Sequence, residues 1–380
     1  MSANIVQPPL AKRHRTELTV HEGADAYVGH DESIRTSSLD EPTMKLTGHK
    51  GSVYALSFDP RGDALVSGSF DNTCLLWDAS RQLNNFNILV GHKNAVLDVK
   101  WSHDSERVVT AGADKVLMWW DPSRGERIKR FLGHEGIVNS VDSAKEGGPS
   151  PSLLVSGSDD KTSRLWDARV RGDVGKLEHE FQVTSVAYGA DGKTVYTGGY
   201  VYNMSTHRIC VRINITFMLT SFATFPRFFI QFLSIDNDIT AWDVRQQRKT
   251  MTMKGHVDTI TYLSLSPAGT HLLSNSMDGT LRSWDVRPFV SGKRLVQSFS
   301  GGTHNAEKGL LNCAWSVDGS MVSGGSADGV VHIWDVPSGE ELYHLPGHAG
   351  CVNSVVFHPG ENVVASGSSD KSIFVGELSQ

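Results

Sequence analysis

Cysteine is scarce in this sequence. The chain of 380 residues holds four, Cys74, Cys210, Cys313 and Cys351, and no two of them are spaced as C-x-x-C. This argues against a zinc site and against a disulfide framework, and it is typical of a reducing compartment. No apolar segment opens the sequence, so we predict no secretion signal.

Positive charge is not in excess. The chain has 36 Lys and Arg residues against 42 Asp and Glu residues, which leaves a formal net charge of -6. Domains that bind nucleic acid are usually basic, so the total charge does not favour such a domain, although it does not address a local basic patch. We also find no P-loop, dinucleotide motif, nucleophile elbow or metal-ligand spacing, and we predict no enzyme activity, no metal and no cofactor.

Residues 1–43 have little apolar periodicity. They are rich in Ser, Thr, Pro, Glu and Asp, a composition that predicts a disordered tail. Within this tail, Lys12, Arg13, His14 and Arg15 form a short basic cluster. The cluster is either a nuclear-import signal or a chance charged patch.

From residue 44 onwards the sequence repeats itself. Units such as GHKGSVYALSF…SGSFDNTCLLWD open with Gly-His and close with Trp-Asp, and an Asp precedes each closing Trp by six residues. A seventh closing position keeps the spacing as Gly376-Glu377 but lacks the Trp. Short runs of Val, Leu, Ile and Trp with period two, bounded by Gly, Asp and Asn, predict short antiparallel strands. The closing pairs stand at residues 77/78, 120/121, 166/167, 242/243, 284/285 and 334/335.

These units resemble the repeats of the WD-repeat family. The resemblance implies an all-β fold, a seven-bladed β-propeller over residues 44–380. It also implies that a His, a Ser or Thr, an Asp and a Trp of one blade form a hydrogen-bonded tetrad. The residues so implied are His49, Ser67, Asp71 and Trp77; His92, Thr110, Asp114 and Trp120; His134, Ser156, Asp160 and Trp166; His256, Ser274, Asp278 and Trp284; and, without a Trp, His348, Ser366 and Asp370.

Two units depart from this pattern. In the sixth, Gly324 replaces the hydroxyl residue and His304 is offset by two positions. In the fourth, His179 stands at the right distance from its strand but has no Gly before it. The last unit ends after its third strand, so we predict that residues 44–46 supply the fourth strand and close the ring.

The tetrads hold the residue types of a hydrolase triad, with Ser as nucleophile beside His and Asp. An active site occurs once in a chain, whereas this set recurs along the sequence. We therefore interpret the tetrads as structural, because a buried set that satisfies its own donors and acceptors makes a blade rigid.

One spacing is anomalous. Trp166 and Trp242 are 76 residues apart, and removing residues 200–234 restores the usual spacing and the strand pattern TVYTGGIDNDITAWD. This Phe-rich insertion is a transmembrane helix, a functional loop or a translated intron. Asn, Pro, Arg and Gln in its apolar part argue against the helix, and long loops are usually polar. We favour the intron, since Phe, Leu, Ile and Ser are encoded by a uridine-rich tract.

A propeller offers surfaces for binding, and the fold alone does not name a function. The residues just before the tetrad Asp should line one face. Four of them are candidate partner-binding residues, Phe70, Asp159, Met277 and Ser369. An exposed Phe or Met would suit a protein anchor, and ordinary loop variation is the simpler interpretation.

Some longer stretches go beyond the general repeat. WDVRPF at residues 284–289, LPGHAGCVNSVVFHP at 345–359 and SSDKSIFVGEL at 368–378 are similar to WD-repeat subunits of the U5 small nuclear ribonucleoprotein. This resemblance implies a nuclear, non-enzymatic scaffold subunit of the spliceosome, a monomer within a large complex. It implies binding to the large core splicing protein, indirect or minor contact with RNA, and no contact with membrane.

A second function belongs to a different class. Three W-D-x-R sequences end at Arg169, Arg245 and Arg287. They match the end of the motif by which substrate receptors dock on the propeller adaptor of cullin-type ubiquitin ligases. The simpler interpretation is that each Arg is a solvated turn residue.

Overall fold

The computed structural model describes residues 37–79, 82–145, 152–200, 237–304 and 309–378. These residues form β-strands, turns and loops, and none of them belongs to a helix long and apolar enough to cross a membrane. Three predicted features lie wholly or mostly outside this part: the basic cluster at residues 12–15, the insertion from residue 201 onwards, and Asp236 of the fourth unit.

Seven antiparallel sheets of four strands each are the blades of a propeller, and this confirms the predicted fold class. The inner strands of each blade are buried on both faces. Their apolar residues favour the extended conformation of these short strands. Blades 1 to 3 contain β2 (Val53–Phe58), β3 (Ala64–Ser69), β4 (Thr73–Asp78) and β5 (Asn85–Val90); β6 (Val96–Trp101), β7 (Val108–Gly112), β8 (Leu117–Asp121) and β9 (Glu126–Phe131); and β10 (Val138–Ser143), β11 (Leu153–Ser158), β12 (Thr162–Asp167) and β13 (Asp173–Glu178). Blades 4 to 6 contain β14 (Gln182–Tyr188), β15 (Thr194–Tyr200), β16 (Ile239–Asp243) and β17 (Arg248–Met253); β18 (Ile260–Leu265), β19 (His271–Ser276), β20 (Thr280–Asp285) and β21 (Leu295–Ser300); and β22 (Cys313–Trp315), β23 (Met321–Gly324), β24 (Val330–Asp335) and β25 (Glu341–Pro346).

Blade 7 joins the two ends of the described chain. It consists of β26 (Val352–Phe357), β27 (Val363–Ser368), β28 (Ser372–Glu377) and, at the outer edge, β1 (Thr43–Thr47). β1 runs antiparallel to β28, with Thr43 opposite Gly376 and Thr47 opposite Ser372. The predicted closing strand is therefore confirmed, and the ring has no open edge between its first and last blades.

Residues 37–42, which the sequence assigned to the tail, contact blade 7. The backbone N–H and hydroxyl of Ser37 donate to the carboxylate of Glu377 at 3.1 and 2.9 Å. Leu39 is buried in the apolar cluster between blades 7 and 1. Contacts of this kind could not be predicted, because one anchoring Leu and a few hydrogen bonds leave no periodic signal in a sequence.

The core is a ring of apolar clusters between neighbouring blades. Val53 of blade 1 packs with Ile373 of blade 7, and Leu281 of blade 5 packs with Trp334 of blade 6. The described residues contain seven such clusters, one for each blade interface. Burial of apolar surface thus stabilises the contacts between blades, whereas backbone hydrogen bonds stabilise each blade.

The turn between the second and third strands of a blade positions the tetrad Asp. In blade 1, Asp71 Oδ1 accepts hydrogen bonds from the N–H and hydroxyl of Thr73 at 3.0 and 2.6 Å. Asn72 between them has a φ of 70°, in the left-handed region that Asn tolerates. Gly279 takes the equivalent place in blade 5 with a φ of 77°. These local bonds hold the carboxylate at the end of the two strands.

Antiparallel connections place the loops of every blade on two opposite faces. The loop before the first strand and the turn between the second and third strands share one of them, which we call the histidine face because it carries His49 and its equivalents. The turns after the first and third strands share the other. We call it the arginine face because it carries Arg169, Arg245 and Arg287.

Candidate functional site

In blade 5, four side chains form a continuous chain of hydrogen bonds. Trp284 Nε1 donates to Ser274 Oγ at 2.8 Å. Ser274 Oγ lies 2.7 Å from His256 Nε2, and His256 Nδ1 lies 2.8 Å from Asp278 Oδ2. An indole N–H only donates and a carboxylate only accepts, so Nδ1 carries the imidazole proton and Nε2 accepts the Ser proton.

Blades 1, 2 and 3 repeat this arrangement. The shortest distances from His Nδ1 to the Asp carboxylate are 3.0, 3.0 and 2.7 Å, and those from His Nε2 to the hydroxyl are 2.8, 2.7 and 2.7 Å. The Trp Nε1 to hydroxyl distances are 3.0, 2.9 and 2.8 Å. The structure thus brings together His49, Ser67, Asp71 and Trp77; His92, Thr110, Asp114 and Trp120; and His134, Ser156, Asp160 and Trp166.

Blade 7 keeps three members of the set. His348 Nδ1 lies 3.0 Å from Asp370 Oδ2, and Nε2 lies 2.9 Å from Ser366 Oγ. Gly376 stands where the other blades have Trp. The ring of Phe374 packs edge-on against the imidazole, with centroids 4.6 Å apart, and covers it from one side.

Burial and hydrogen bonding together set the charge of these pairs. Burial opposes ionisation of Asp160, but hydrogen bonds from Thr162 and His134 outweigh it and lower its pKa to about 2. Burial lowers the pKa of His134, and the hydrogen bond to Asp160 offsets only part of that effect. At neutral pH the pair of His134 and Asp160 is therefore a carboxylate with a neutral imidazole.

The tetrad hydroxyls are placed for packing and not for attack on a substrate. Ser67, Ser156 and Ser274 have no exposed surface. Each is enclosed between an indole and an imidazole, so that a substrate carbonyl could not approach its oxygen. This geometry supports the structural interpretation of the tetrads.

Blade 4 uses its histidine differently from the expected tetrad. His179 Nε2 lies 3.0 Å from Ser163 Oγ of blade 3, and its ring packs edge-on against Trp242 with centroids 4.9 Å apart. Trp242 Nε1 still donates to a hydroxyl, that of Thr197, at 3.1 Å. Burial and the positive charge of Lys249 lower the pKa of His179 to about 4.

Blade 6 has lost the hydrogen-bonded set. Gly324 offers no hydroxyl, and Trp334 Nε1 is buried with no hydrogen-bond partner among the described residues. The imidazole that contacts this indole is that of His332, with parallel rings 5.7 Å apart, and not that of the offset His304. His332 faces two carboxylates, with Nδ1 2.8 Å from Glu341 and Nε2 3.1 Å from Asp328. Sequence reasoning missed this cluster, whose signal was a His two residues before a Trp-Asp pair.

Comparison with known proteins agrees with this architecture. The family described as WD domain, G-beta repeat matches residues 40–78, 83–121, 125–167, 247–285, 293–335 and 339–375. The human U5 small nuclear ribonucleoprotein 40 kDa protein is 40% identical over 377 residues, which cover 97% of this chain and 95% of that protein. The Dictyostelium discoideum protein of the same name is 38% identical over 371 residues, 97% of this chain and 93% of that protein. The pre-mRNA-splicing factor cwf17 of Schizosaccharomyces pombe is 38% identical over 344 residues, 90% of each chain.

This chain belongs to the WD-repeat family and, within it, to the family of these U5 40 kDa proteins. The matched repeats omit residues 168–246, which hold the first three strands of blade 4 and the insertion. Blade 4, one of the two blades whose histidine departs from the tetrad, is thus only partly covered by the family pattern.

The four candidate partner-binding residues of this WD-repeat chain lie on the histidine face, one each in blades 1, 3, 5 and 7. Phe70 is 58% exposed, and its ring meets Tyr54 edge-on. Asp159 accepts a hydrogen bond from Asn139 at 2.7 Å, and Ser369 accepts one from Asn353 at 3.1 Å. Met277 is half-buried. Phe70 therefore offers the largest apolar surface of the four.

Val257 on the same face was missed by sequence reasoning. It follows the tetrad residue His256 and is 78% exposed. Its N–H donates to Asp278 at 3.1 Å, so the tetrad carboxylate holds its backbone in place. The position after Gly-His, compared across the repeats, would have identified it.

Two of the three W-D-x-R arginines bind the Asp of their own motif. Arg169 donates from Nε and Nη2 to Asp167 at 2.9 and 2.6 Å. Arg287 makes the same two-pronged contact with Asp285. In the third motif the backbone N–H of Arg245 donates to Asp243 at 2.8 Å. These contacts hold the turns of the arginine face and leave the side chains of Arg169 and Arg287 more than half exposed.

A depression of about 480 Å³ opens at the centre of the arginine face. Its wall includes aromatic side chains at the ends of the first strands, with Lys145 and Asp142 beside them. Trp101 and Trp315 are fixed there because their indole N–H groups donate to backbone carbonyls at 3.1 Å. Sequence reasoning missed this depression, since its residues come from every blade.

Proposed function

We propose that this chain is a non-enzymatic scaffold subunit of the U5 small nuclear ribonucleoprotein in pre-mRNA splicing. The observation that carries the proposal is the 38–42% identity to proteins named for that particle and for splicing, over 90–97% of the chain. The enclosed tetrad hydroxyls support a scaffold and not a hydrolase.

The proposed place of action is the nucleus, and the proposed partner is the large core splicing protein. The chain would act as one copy within a large complex. Its formal net charge of -6 is in keeping with indirect or minor contact with RNA, because RNA-binding domains are usually basic.

On this proposal the histidine face carries the docking surface. Phe70 and Val257 are two of its exposed apolar residues, and buried aromatic anchors such as a Phe carry much of the binding energy of protein interfaces. Asp159, Met277 and Ser369 would border that surface. Phe70→Ala should weaken capture of the core protein and leave the melting temperature close to that of the native chain.

The competing proposal is a substrate receptor for a cullin-type ubiquitin ligase, which would dock through Arg169, Arg245 and Arg287. These lie on the arginine face, opposite Phe70. The two proposals therefore require binding at opposite faces, and substitutions on one face can test them separately. Arg245→Ala with Arg287→Ala would abolish adaptor binding in a receptor and leave particle binding unchanged in a scaffold.

The deciding experiment is capture of the tagged chain from nuclear extract, followed by identification of the bound proteins and small RNAs. The full chain is compared with a version lacking residues 200–234. Joint recovery of U5 RNA and the core protein is the expected result. Recovery of a cullin adaptor without them would replace the scaffold proposal with the receptor.

We further propose that residues 200–234 are a translated intron. The strands on either side still pair, with Thr194 opposite Asp243 and Thr197 opposite Thr240. Sequencing the transcript across this region tests the proposal. A spliced messenger that retains the segment would overturn it.

A further inference from the structure

Blade 6 carries a pair of histidines on adjacent strands. His332 in β24 and His344 in β25 lie directly opposite each other, with ring centroids 5.0 Å apart. Glu341 Oε1 lies 2.8 Å from His332 Nδ1 and 3.1 Å from His344 Nδ1. Metal ions are bound by His, Cys, Asp and Glu side chains. Across the described ranges of the chain, His332, Glu341 and His344 are the one group of three such side chains whose possible ligand atoms all lie within 4.8 Å of one another.

These separations fit a common metal ion. Donors bound to a tetrahedral zinc ion at about 2.0–2.1 Å lie roughly 3.3 Å from one another. The two measured separations are within about half an ångström of that value, a change that small side-chain rotations supply. Two imidazole nitrogens and one carboxylate oxygen are ligands that suit zinc and its first-row neighbours, and not magnesium or calcium.

The surroundings of His332 also resemble those of a metal ligand. Its side chain is 3% exposed and stacks on Trp334, so the ring has little freedom to turn. Its other nitrogen, Nε2, lies 3.1 Å from Asp328 Oδ2. Histidine ligands usually donate their second N–H to a carboxylate in this manner, which orients the ring and leaves the other nitrogen for the ion.

The cluster is open to solvent on one side and carries negative charge. His344 is 50% exposed and Glu341 25% exposed, so an ion has a path to all three ligands. In the described part of the chain, the ion pairs of Glu341 are with His332 and His344, and none is with a Lys or Arg. A cation therefore has no competing positive side chain paired to its carboxylate ligand.

We propose that His332, Glu341 and His344 form a binding site for a divalent transition-metal ion of the zinc class. The ion has three protein ligands, and water completes its coordination. Asp328 is a positioning residue that acts through His332. The proposal is independent of the splicing function, because it concerns one blade and its ligand atoms.

Such an ion would cross-link the two outer strands of the blade that has lost its tetrad. Gly324 and the unpartnered Trp334 Nε1 leave blade 6 without the hydrogen bonds that fasten blade 5. A metal ion bound by residues of β24 and β25 would instead hold these two strands together. Zinc should therefore raise the melting temperature of the chain.

The test is titration of the full chain, stripped of metal by a chelator, first with Co²⁺ and then with Zn²⁺. We expect visible absorption bands of a four- or five-coordinate Co²⁺ with nitrogen and oxygen ligands, lost as Zn²⁺ displaces it. His344→Ala and Glu341→Gln should each weaken Zn²⁺ binding by at least about tenfold, and Asp328→Asn by on the order of tenfold.

His103→Ala in blade 2 is the matched control, since it removes a histidine far from the cluster and should leave the affinity unchanged. His344 is half exposed, so His344→Ala should leave the melting temperature of the metal-free chain unchanged. If it lowers that temperature, Glu341→Gln serves as the second test, because it keeps the shape of the side chain. The proposal is overturned if the native chain gives no Co²⁺ bands. It is equally overturned if both ligand variants bind Zn²⁺ as tightly as the native chain, which would mean that Glu341 only accepts hydrogen bonds from the two imidazoles.

Discussion

Blades 5 and 6 are neighbours, and each is a four-stranded sheet. They differ in the side-chain interactions that connect their strands and loops. In blade 5, Ser274 joins Trp284 to His256 by hydrogen bonds of 2.8 and 2.7 Å. In blade 6 the equivalent Trp334 is as deeply buried, with 1% exposed, yet its indole N–H has no partner in the part of the chain that the structure describes. The blade persists without the tetrad. Apolar packing of the Trp is thus sufficient to form a blade. The tetrad additionally links, by hydrogen bonds, the loop that carries His to the turn that carries Asp.

Acidification should disturb the blades most, because it acts on several of them at once. Burial lowers the pKa of His134 and His256, and burial with the charge of Lys249 lowers that of His179 to about 4. An unfolded chain takes up these protons near pH 6.5. The folded state is therefore favoured above that pH, and the contribution is lost as the pH falls from 6.5 towards 4. The midpoint of urea unfolding should fall over this range.

Below about pH 4 a second loss should follow. Burial opposes ionisation of Asp160, but its hydrogen bonds lower the pKa to about 2, against a usual value of 3.8. The stability from this carboxylate is full above 3.8 and is lost as the pH falls to about 2. His179→Asn should flatten only the upper part of the profile. A constant midpoint between pH 6.5 and 4 would contradict neutral imidazoles at His134, His179 and His256.

Removing one tetrad hydroxyl should have the next largest effect. Ser274→Ala leaves the indole N–H of Trp284 and Nε2 of His256 buried without a partner, at a cost of about 2–3 kcal/mol in the free energy of unfolding. The matched control in blade 6 is Ser323→Ala, since Ser323 is fully buried and its hydroxyl has no hydrogen-bond partner within the described ranges. That substitution should cost about 0 kcal/mol or stabilise slightly. Equal losses in the two variants, by urea denaturation, would argue that volume and not hydrogen bonding matters.

Restoring the hydroxyl in blade 6 should give the smallest effect. A Cβ at Gly324 would lie 2.8 Å from Leu281 Cδ1, so both Gly324→Ala and Gly324→Ser must displace that side chain and lower stability. The Ser variant alone offers Trp334 an acceptor. It should be more stable than the Ala variant by about 1 kcal/mol, measured by the same urea method. Identical stabilities would show that the indole finds no acceptor there.

The resemblance to the WD-repeat family could imply the tetrads residue by residue because every member lies in a short, local strand–turn–strand unit. His256 and Asp278 are 22 residues apart, and Ser274 and Trp284 are 10 apart, distances that the strand and turn lengths of one blade impose. Blade 4 could not be assigned in this way. Its His179 contacts Ser163 of blade 3, and no spacing within one unit reports a bond between units.

The sequence by itself determined the number of blades and the closing strand, because a repeated pattern of strands and turns encodes local geometry. Its resemblance to the WD-repeat family implied the tetrad members. The tertiary structure decided what depends on strand register and ring closure. His332 and His344 meet only because the outer strands pair them, with a register shift next to Trp334 that brings in Glu341. Leu39 joins its apolar cluster only when the ring of seven blades is closed. The wall of the central depression is likewise complete only in the closed ring. Side chains far apart in sequence carry no shared period, and packing alone brings them together.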